Sequence, residues 1–219
     1  MPRAGVNVRR LALQRRKGAI LLLIGALCSI AVPFLALFIL PTTPGLVTLI
    51  LIACLTGAFI LYKQGQNLWS LANRADQGAS GEENVAQLLK VLERLVWKIE
   101  YNIRLQHWGD ADVFLLSPHG NCFVVDIKTN KGGVFFDGSV LKQRYGKKIH
   151  DFANRKVLLR AVKGQAAAVK NLKQLSYVQP IICFTQANLD EITQQQKIKG
   201  VYVVSTANLV NLLQQLDRN

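Results

Sequence analysis

The chain has 219 residues, half of them hydrophobic and 18% charged, with 27 lysines and arginines against 13 acids. That apolar content excludes a disordered chain, and four cysteines are too few for a disulfide-built secreted miniprotein. A net charge of +14 beside a positive mean hydropathy implies that apolar residues and charges occupy different parts of the chain.

Residues 1–18 form a basic N-terminus carrying Arg3, Arg9, Arg10, Arg15, Arg16 and Lys17. Residues 19–40 follow with no charge in 22 positions, about the length a helix needs to cross a bilayer. Residues 41–45 (PTTPG) break the helix with two prolines and a glycine. Residues 46–62 add 17 uncharged positions, and Tyr62 and Trp69 suit a membrane–water boundary. The pattern predicts a transmembrane hairpin over residues 19–62. The alternative is a cleaved signal peptide followed by a core helix. Against it, the first run is longer than a signal's apolar core, a second run follows directly, and no small-residue cleavage site stands out. The short turn has no basic residue, whereas Lys63 and Arg74 follow the second span. By the positive-inside rule both termini are expected in the cytoplasm, making this a multi-pass protein of the cell (inner) membrane that contacts lipid through two spans.

Residues 63–77 read as a linker and 78–219 as one α/β domain. All 13 acids lie after residue 63. Residues 82–96 carry a helical stripe of Val85, Leu88, Leu89, Leu92 and Val96, with Ser80 and Glu83 as a capping box. Strands are expected near 97–105, 111–117 and 122–128, and a ribbon over 134–141 turning at Asp137-Gly138. Residues 151–176 read as helix, broken at Gly164. Strands near 179–184 and 201–204 follow, with a closing helix from Thr206. This order implies a mixed sheet with helices on its faces. Cys122 and Cys183 lie in strand-like runs without metal-ligand spacing and read as buried free thiols.

Several polar residues sit where a core is expected. If Ser117 pairs with Asn121, partner numbers across the second hairpin sum to 238, and Asp112 then faces Asp126. An even-numbered loop would shift that register by one. Like charges directly opposite are destabilising, so two such carboxylates must share a proton, meet a cation or bind metal. If they stand unpaired, replacing either by Asn is expected to stabilise the metal-free protein. Lys128 lies on the same strand face as Asp126. An Asp-x-Lys pair is common on solvated strand edges, but here it sits within Phe123-Val124-Val125-Asp126-Ile127-Lys128, a run expected to be buried on both faces. Glu82 continues the apolar stripe toward the helix start, where an acid also suits the helix dipole. Gln165 shares a face with Ala161, Val162, Ala168, Val169 and Leu172, as a satisfied core amide also would.

Gly81-Glu82-x-x-Val85, Asp110-Ala111-Asp112-Val113, Val125-Asp126-Ile127-Lys128 and Gln165, in this order, resemble the nuclease-related (NERD) domain over about residues 78–210. That family is placed among restriction-endonuclease-like phosphodiesterases. The resemblance implies a restriction-endonuclease-like mixed sheet flanked by helices. It also implies acidic metal-site residues Glu82, Asp112 and Asp126, a catalytic lysine Lys128, and Gln165 as the amide on the later helix. Many members carry Glu at the position of Asp126. Carboxylate oxygens suit Mg²⁺ or Mn²⁺, and the reaction implied is hydrolysis of nucleic-acid phosphodiester bonds.

Residues 128–173 hold 12 lysines and arginines against two acids. A phosphate backbone is the partner expected for such a surface, DNA ahead of RNA, with Lys131, Lys147, Lys148, Lys156, Arg160 and Lys163 as candidate contacts. Anionic lipid would attract the same charge. The expected function is therefore a membrane-anchored, metal-dependent nuclease, and the alternative is a non-catalytic nucleic-acid or membrane-surface binding module on the same fold.

Overall fold

The computed structural model describes residues 4–39, 43–152 and 158–218. It divides into two compact units, one of residues 7–77 and one of residues 1–6 with 78–219.

The first unit is a pair of helices. α1 covers Val6–Ile39 and α2 covers Pro44–Glu93; Pro44 takes the first helical position, where its missing N–H costs nothing. Ala12, Ala19 and Ala26 on α1 are buried at seven-residue spacing, and Ala58 and Ala72 on α2 are buried fourteen residues apart. Gly65 falls midway between the last two, with the Leu23 side chain and the Ala19 carbonyl close by. Such a seam of small residues lets two helix backbones approach closely, as lipid-embedded helices do. The larger apolar side chains point away: Leu21 is 70% exposed and Leu27 68%. Both helices are long and apolar enough to cross a membrane. Their most apolar windows are only 17% and 6% buried, the reverse of a soluble core helix. Residues 63–77, read above as a linker, are helical throughout. There Arg16 pairs with Asp76 and Arg15 donates to the Leu71 carbonyl, both within this unit. Pro41 and Thr42 of the predicted turn lie outside the described residues.

The second unit is an eight-stranded mixed sheet between helices. The strands are β1 (Lys98–Ile103), β2 (Ala111–Leu116), β3 (Cys122–Phe136), β4 (Leu141–Tyr145), β5 (Lys148–Asp151), β6 (Gln179–Asn188), β7 (Lys197–Ile198) and β8 (Val201–Ser205). The helices α3 (Leu158–Leu172) and α4 (Thr206–Arg218) complete it. The main order is β1-β2-β3-β6-β8-β7, with β4 and β5 forming an arm on β3. The β3–β6 and β6–β8 pairs are parallel, the others antiparallel. One face buries Val124, Ile182, Phe184 and Val203 against Leu159, Val162, Ala166 and Val169 of α3. The opposite face buries Val125, Ile181 and Val204 against Val85, Leu89 and Leu92 of α2 and Leu209 and Leu213 of α4. Alternating residues of β3 thus feed two cores, which is why its sequence is nearly continuously apolar.

Several expectations need correction. Ser80 and Glu83 do not cap a helix: they lie inside α2, so Glu82 is not at a helix N-terminus and the dipole explanation for it fails. Leu88 is 44% exposed, and Val96 is past the helix end at a φ of 65°. The stripe reduces to Val85, Leu89 and Leu92, which a 3.6-residue period superposes on one side. Asp151, expected to open a helix, instead ends the strand Lys148–Asp151, and α3 runs through Gly164 unbroken. The turn at Asp137-Gly138 forms as expected, with Asp137 Oδ1 accepting from the Ser139 and Val140 amides. Cys122 and Cys183 are buried and unpaired.

Candidate active site

The β2–β3 hairpin sets the register. The Ser117 amide donates to the Asn121 carbonyl at 2.9 Å, and Val113↔Val125 through Leu116↔Cys122 follow the predicted pairing. The paired ladder ends at Val113↔Val125, and its register carried one step on sets Asp112 opposite Asp126. Both side chains lie on the α3 side of the sheet, as do Phe114 and Val124. The Ile127 amide donates to Asp112 Oδ2 at 2.6 Å. Asp126 is buried and its Oδ2 accepts from Lys128 Nζ at 2.7 Å. Carboxylate, carboxylate and ammonium therefore share one strand face. A bulge follows directly: between Lys128 and Lys131, β3 advances three residues while β6 advances two, the kind of irregularity that re-aims side chains beside active sites.

The electrostatics follow from burial. Desolvation, and then the neighbouring Asp126 charge, push the Asp112 carboxyl well above the ordinary carboxylate range. Desolvation pulls the Lys128 ammonium down, but the charges of Asp126, Asp112 and Glu82 outweigh it and hold Lys128 above the usual lysine value. These carboxylates favour the ammonium form of Lys128, which donates to Asp126 Oδ2.

Gln165 comes from α3. It is 6% exposed, donates from Nε2 to the Asp110 carbonyl at 3.2 Å, and lies 3.5 Å from Asp126 Oδ1. Its Oε1 is buried and finds no hydrogen-bond partner among the described residues. A buried, unsatisfied acceptor is costly, so this is not an amide merely satisfied in a core. Glu82 comes from α2 and is 9% exposed. Its Oε2 accepts from the Gly5 amide at 2.9 Å. Gly81 explains how α2 comes so near: a Cβ there would stand 2.2 Å from the Thr129 methyl group on β3.

The donor set is two hard carboxylates with one oxygen each already engaged, by the Ile127 amide and by Lys128. Mg²⁺ is commonly held by one or two carboxylates, the rest being water and phosphate oxygen, and Asp112 with Asp126 fits that demand. Among the described residues no three His, Cys, Asp or Glu side chains form a group spaced to hold a metal ion.

The basic candidates divide between elements. Lys131, Lys147 and Lys148 are exposed on the β3–β4–β5 arm, and Arg160 and Lys163 are exposed on α3. Lys156 lies outside the described residues. Sequence reasoning did not single out Gly5, whose backbone amide acts independently of any side chain, or Trp108, whose indole lies against α3 at Gly164. The glycine inside an otherwise helical pattern was the available signal, and it marks a close approach rather than a break.

A helix-flanked mixed sheet with two carboxylates, a lysine and a buried amide converging on one face, preceded by two helices of membrane-spanning length, defines the class of molecule. Residues 77–185 match the family model of the nuclease-related domain (NERD); this part of the chain is a nuclease-related domain, and it includes Glu82, Asp112, Asp126, Lys128 and Gln165. No curated protein and no solved structure gives a match to the chain.

Proposed function

We propose that the protein is a membrane-anchored, metal-dependent nuclease whose active site is Asp112, Asp126, Lys128 and Gln165, with Glu82 supporting it from α2. The observation that carries this reading is the buried convergence of two carboxylates and an ammonium from β2 and β3 beside an amide with an unsatisfied oxygen. Asp112 and Asp126 would hold Mg²⁺ or Mn²⁺, which when bound acidifies water and neutralises charge developing at phosphorus. Lys128, held protonated by its carboxylate neighbours, donates to Asp126 and is suited to donate to a phosphate oxygen or to the attacking water. Gln165 fixes the Asp110 carbonyl with one end and offers an acceptor with the other, which would orient a water proton. Lys131, Lys147, Lys148, Lys156, Arg160 and Lys163 would attract the phosphate backbone, DNA ahead of RNA.

The two long apolar helices, the basic N-terminus and the uncharged turn support two spans with both termini in the cytoplasm. Reporter fusions after Lys17 and after Asn219 test this: a signal from the far side of the membrane at either end overturns the hairpin. For the chemistry, the full chain in detergent is incubated with single-stranded and duplex DNA and RNA, with and without Mg²⁺ or Mn²⁺. Cleavage should require the metal and fall by orders of magnitude in Asp126→Asn, while Glu83→Gln, outside the acid–lysine cluster, cuts normally. If Asp126→Asn cuts as fast as the parent, the site is wrong. If the parent binds but never cuts, the domain is a binding module on this fold.

A further inference from the structure

The loop between β1 and β2 passes beside the site and carries a tryptophan in an unusual setting. A Cβ placed on Gly164 of α3 would lie 2.3 Å from Cδ2, 2.4 Å from Cε2 and 2.4 Å from Cε3 of Trp108. Three ring atoms at nearly equal distance mean that the indole presents a face, not an edge, to the helix backbone. The glycine makes this seat possible, because any side chain would fill it. With one face seated, Trp108 still keeps 37% of its surface exposed. A core tryptophan would be covered, as Trp97 is at 6%.

The seat is tied to the active site by short links. Gly164 is followed by Gln165, which donates to the carbonyl of Asp110 and approaches Asp126. Asp110 in turn is two residues from Trp108 and two from Asp112. One helical turn before Gly164, on the same side of α3, stands the exposed Arg160, and Lys163 is exposed beside it. A fixed aromatic face with cations alongside is how proteins hold unpaired nucleotides: bases stack on the ring while cations track the phosphates. Paired bases in an intact duplex have their faces already occupied by neighbours, so such a platform favours strands whose bases are free.

Building on the nuclease reading, we propose that Trp108 is a stacking platform for an unpaired nucleobase next to the scissile phosphate, so that the site selects single-stranded or locally unpaired nucleic acid. It is a specificity-determining residue, acting on which strand is bound.

Binding is measured without turnover, using the full chain in detergent with chelator present. The probes are a fluorescein-labelled single-stranded thymidine 12-mer and a labelled 12-base-pair duplex, read by anisotropy. Trp108→Leu keeps an apolar side chain against α3 but removes the aromatic face, and Trp108→Phe restores one. Stacking contributes about 1–3 kcal/mol per base by side-chain removal, so Trp108→Leu should weaken single-strand binding roughly 5- to 150-fold. Duplex binding should stay within about twofold, and Trp108→Phe should recover most of the loss. The proposal is overturned if Trp108→Leu binds the single strand like the parent, if it weakens both probes equally, or if Trp108→Phe fails as badly as Leu. Because no metal is present, a parent that shows this pattern yet cuts nothing when Mg²⁺ is added upholds the platform and sinks the nuclease reading. A parent that cuts both forms while Trp108→Leu leaves binding unchanged does the opposite.

Discussion

Asp112→Asn and Asp126→Asn should shift the stability of the metal-free protein in opposite directions. The two aspartates face each other, and without a partner both substitutions would relieve repulsion. The structure gives them different partners. Among the described residues Asp112 accepts a backbone amide at 2.6 Å, and an Asn oxygen still accepts that bond. Its charge is what burial and Asp126 oppose, so removing it should stabilise the domain by roughly 0.2–1 kcal/mol. Asp126 instead holds Lys128 at 2.7 Å, with side chains 9% and 29% exposed. An Asn there still accepts from Lys128 but gives up the charge assistance, a loss of about 1 kcal/mol. The expectation that either Asn stabilises is thus corrected for Asp126, because Lys128 already neutralises it. At about 2–4 °C per kcal/mol for a domain of this size, the two variants should melt roughly 2–8 °C apart at pH 7, Asp112→Asn higher. The assay is thermal unfolding of the full chain in detergent with chelator, followed by near-ultraviolet circular dichroism. Adding Mg²⁺ should raise the parent, by about 2.7 kcal/mol at a hundredfold excess over Kd, and raise either variant far less. Equal shifts for the two variants, or stabilisation by Asp126→Asn, would refute the pairing on which the argument rests.

Three further outcomes are expected. In chelator, the raised Asp112 pKa means the folded state binds more protons than the unfolded one, so its contribution is fully present in acid and is lost as pH rises from about 4 toward the raised value; melts across that range should show the parent falling relative to Asp112→Asn. Charge reversal at Arg160 and Lys163, with Lys156, should weaken nucleic-acid binding and flatten its salt dependence by roughly 0.9 in logarithmic slope per lost duplex phosphate contact; an unchanged slope moves the footprint elsewhere. Gly164→Ala should lower stability by up to about 2 kcal/mol in a denaturant titration, because displacing the Trp108 ring costs roughly 1–3 kcal/mol against a helix-propensity gain of about 1 kcal/mol.

Much of this molecule is legible in its residues one stretch at a time. Charge-free runs of 22 and 17 positions give two helices long and apolar enough to cross a membrane, because covering a bilayer's thickness is a requirement on length and polarity alone. The three-residue hairpin loop of residues 118–120 gives the register once Ser117 pairs with Asn121, a closure the sequence suggests and the fold selects over an even-numbered loop. With the register, Asp112, Asp126 and Lys128 fall on one face. Tertiary structure decided what those side chains do there. It placed a backbone amide on Asp112 and an ammonium on Asp126, giving two aspartates in similar strands opposite responses to the same substitution. It made one helix of residues 44–93, in which Ala58, Gly65 and Ala72 carry the small-residue seam beside α1 into what composition marks as a linker. It brought the Gly5 amide to Glu82, a contact across 77 positions that no local pattern encodes. And it turned Gly164 from a break in a helix into the floor beneath Trp108, because a missing side chain is silent in sequence until another ring is found in the space it leaves.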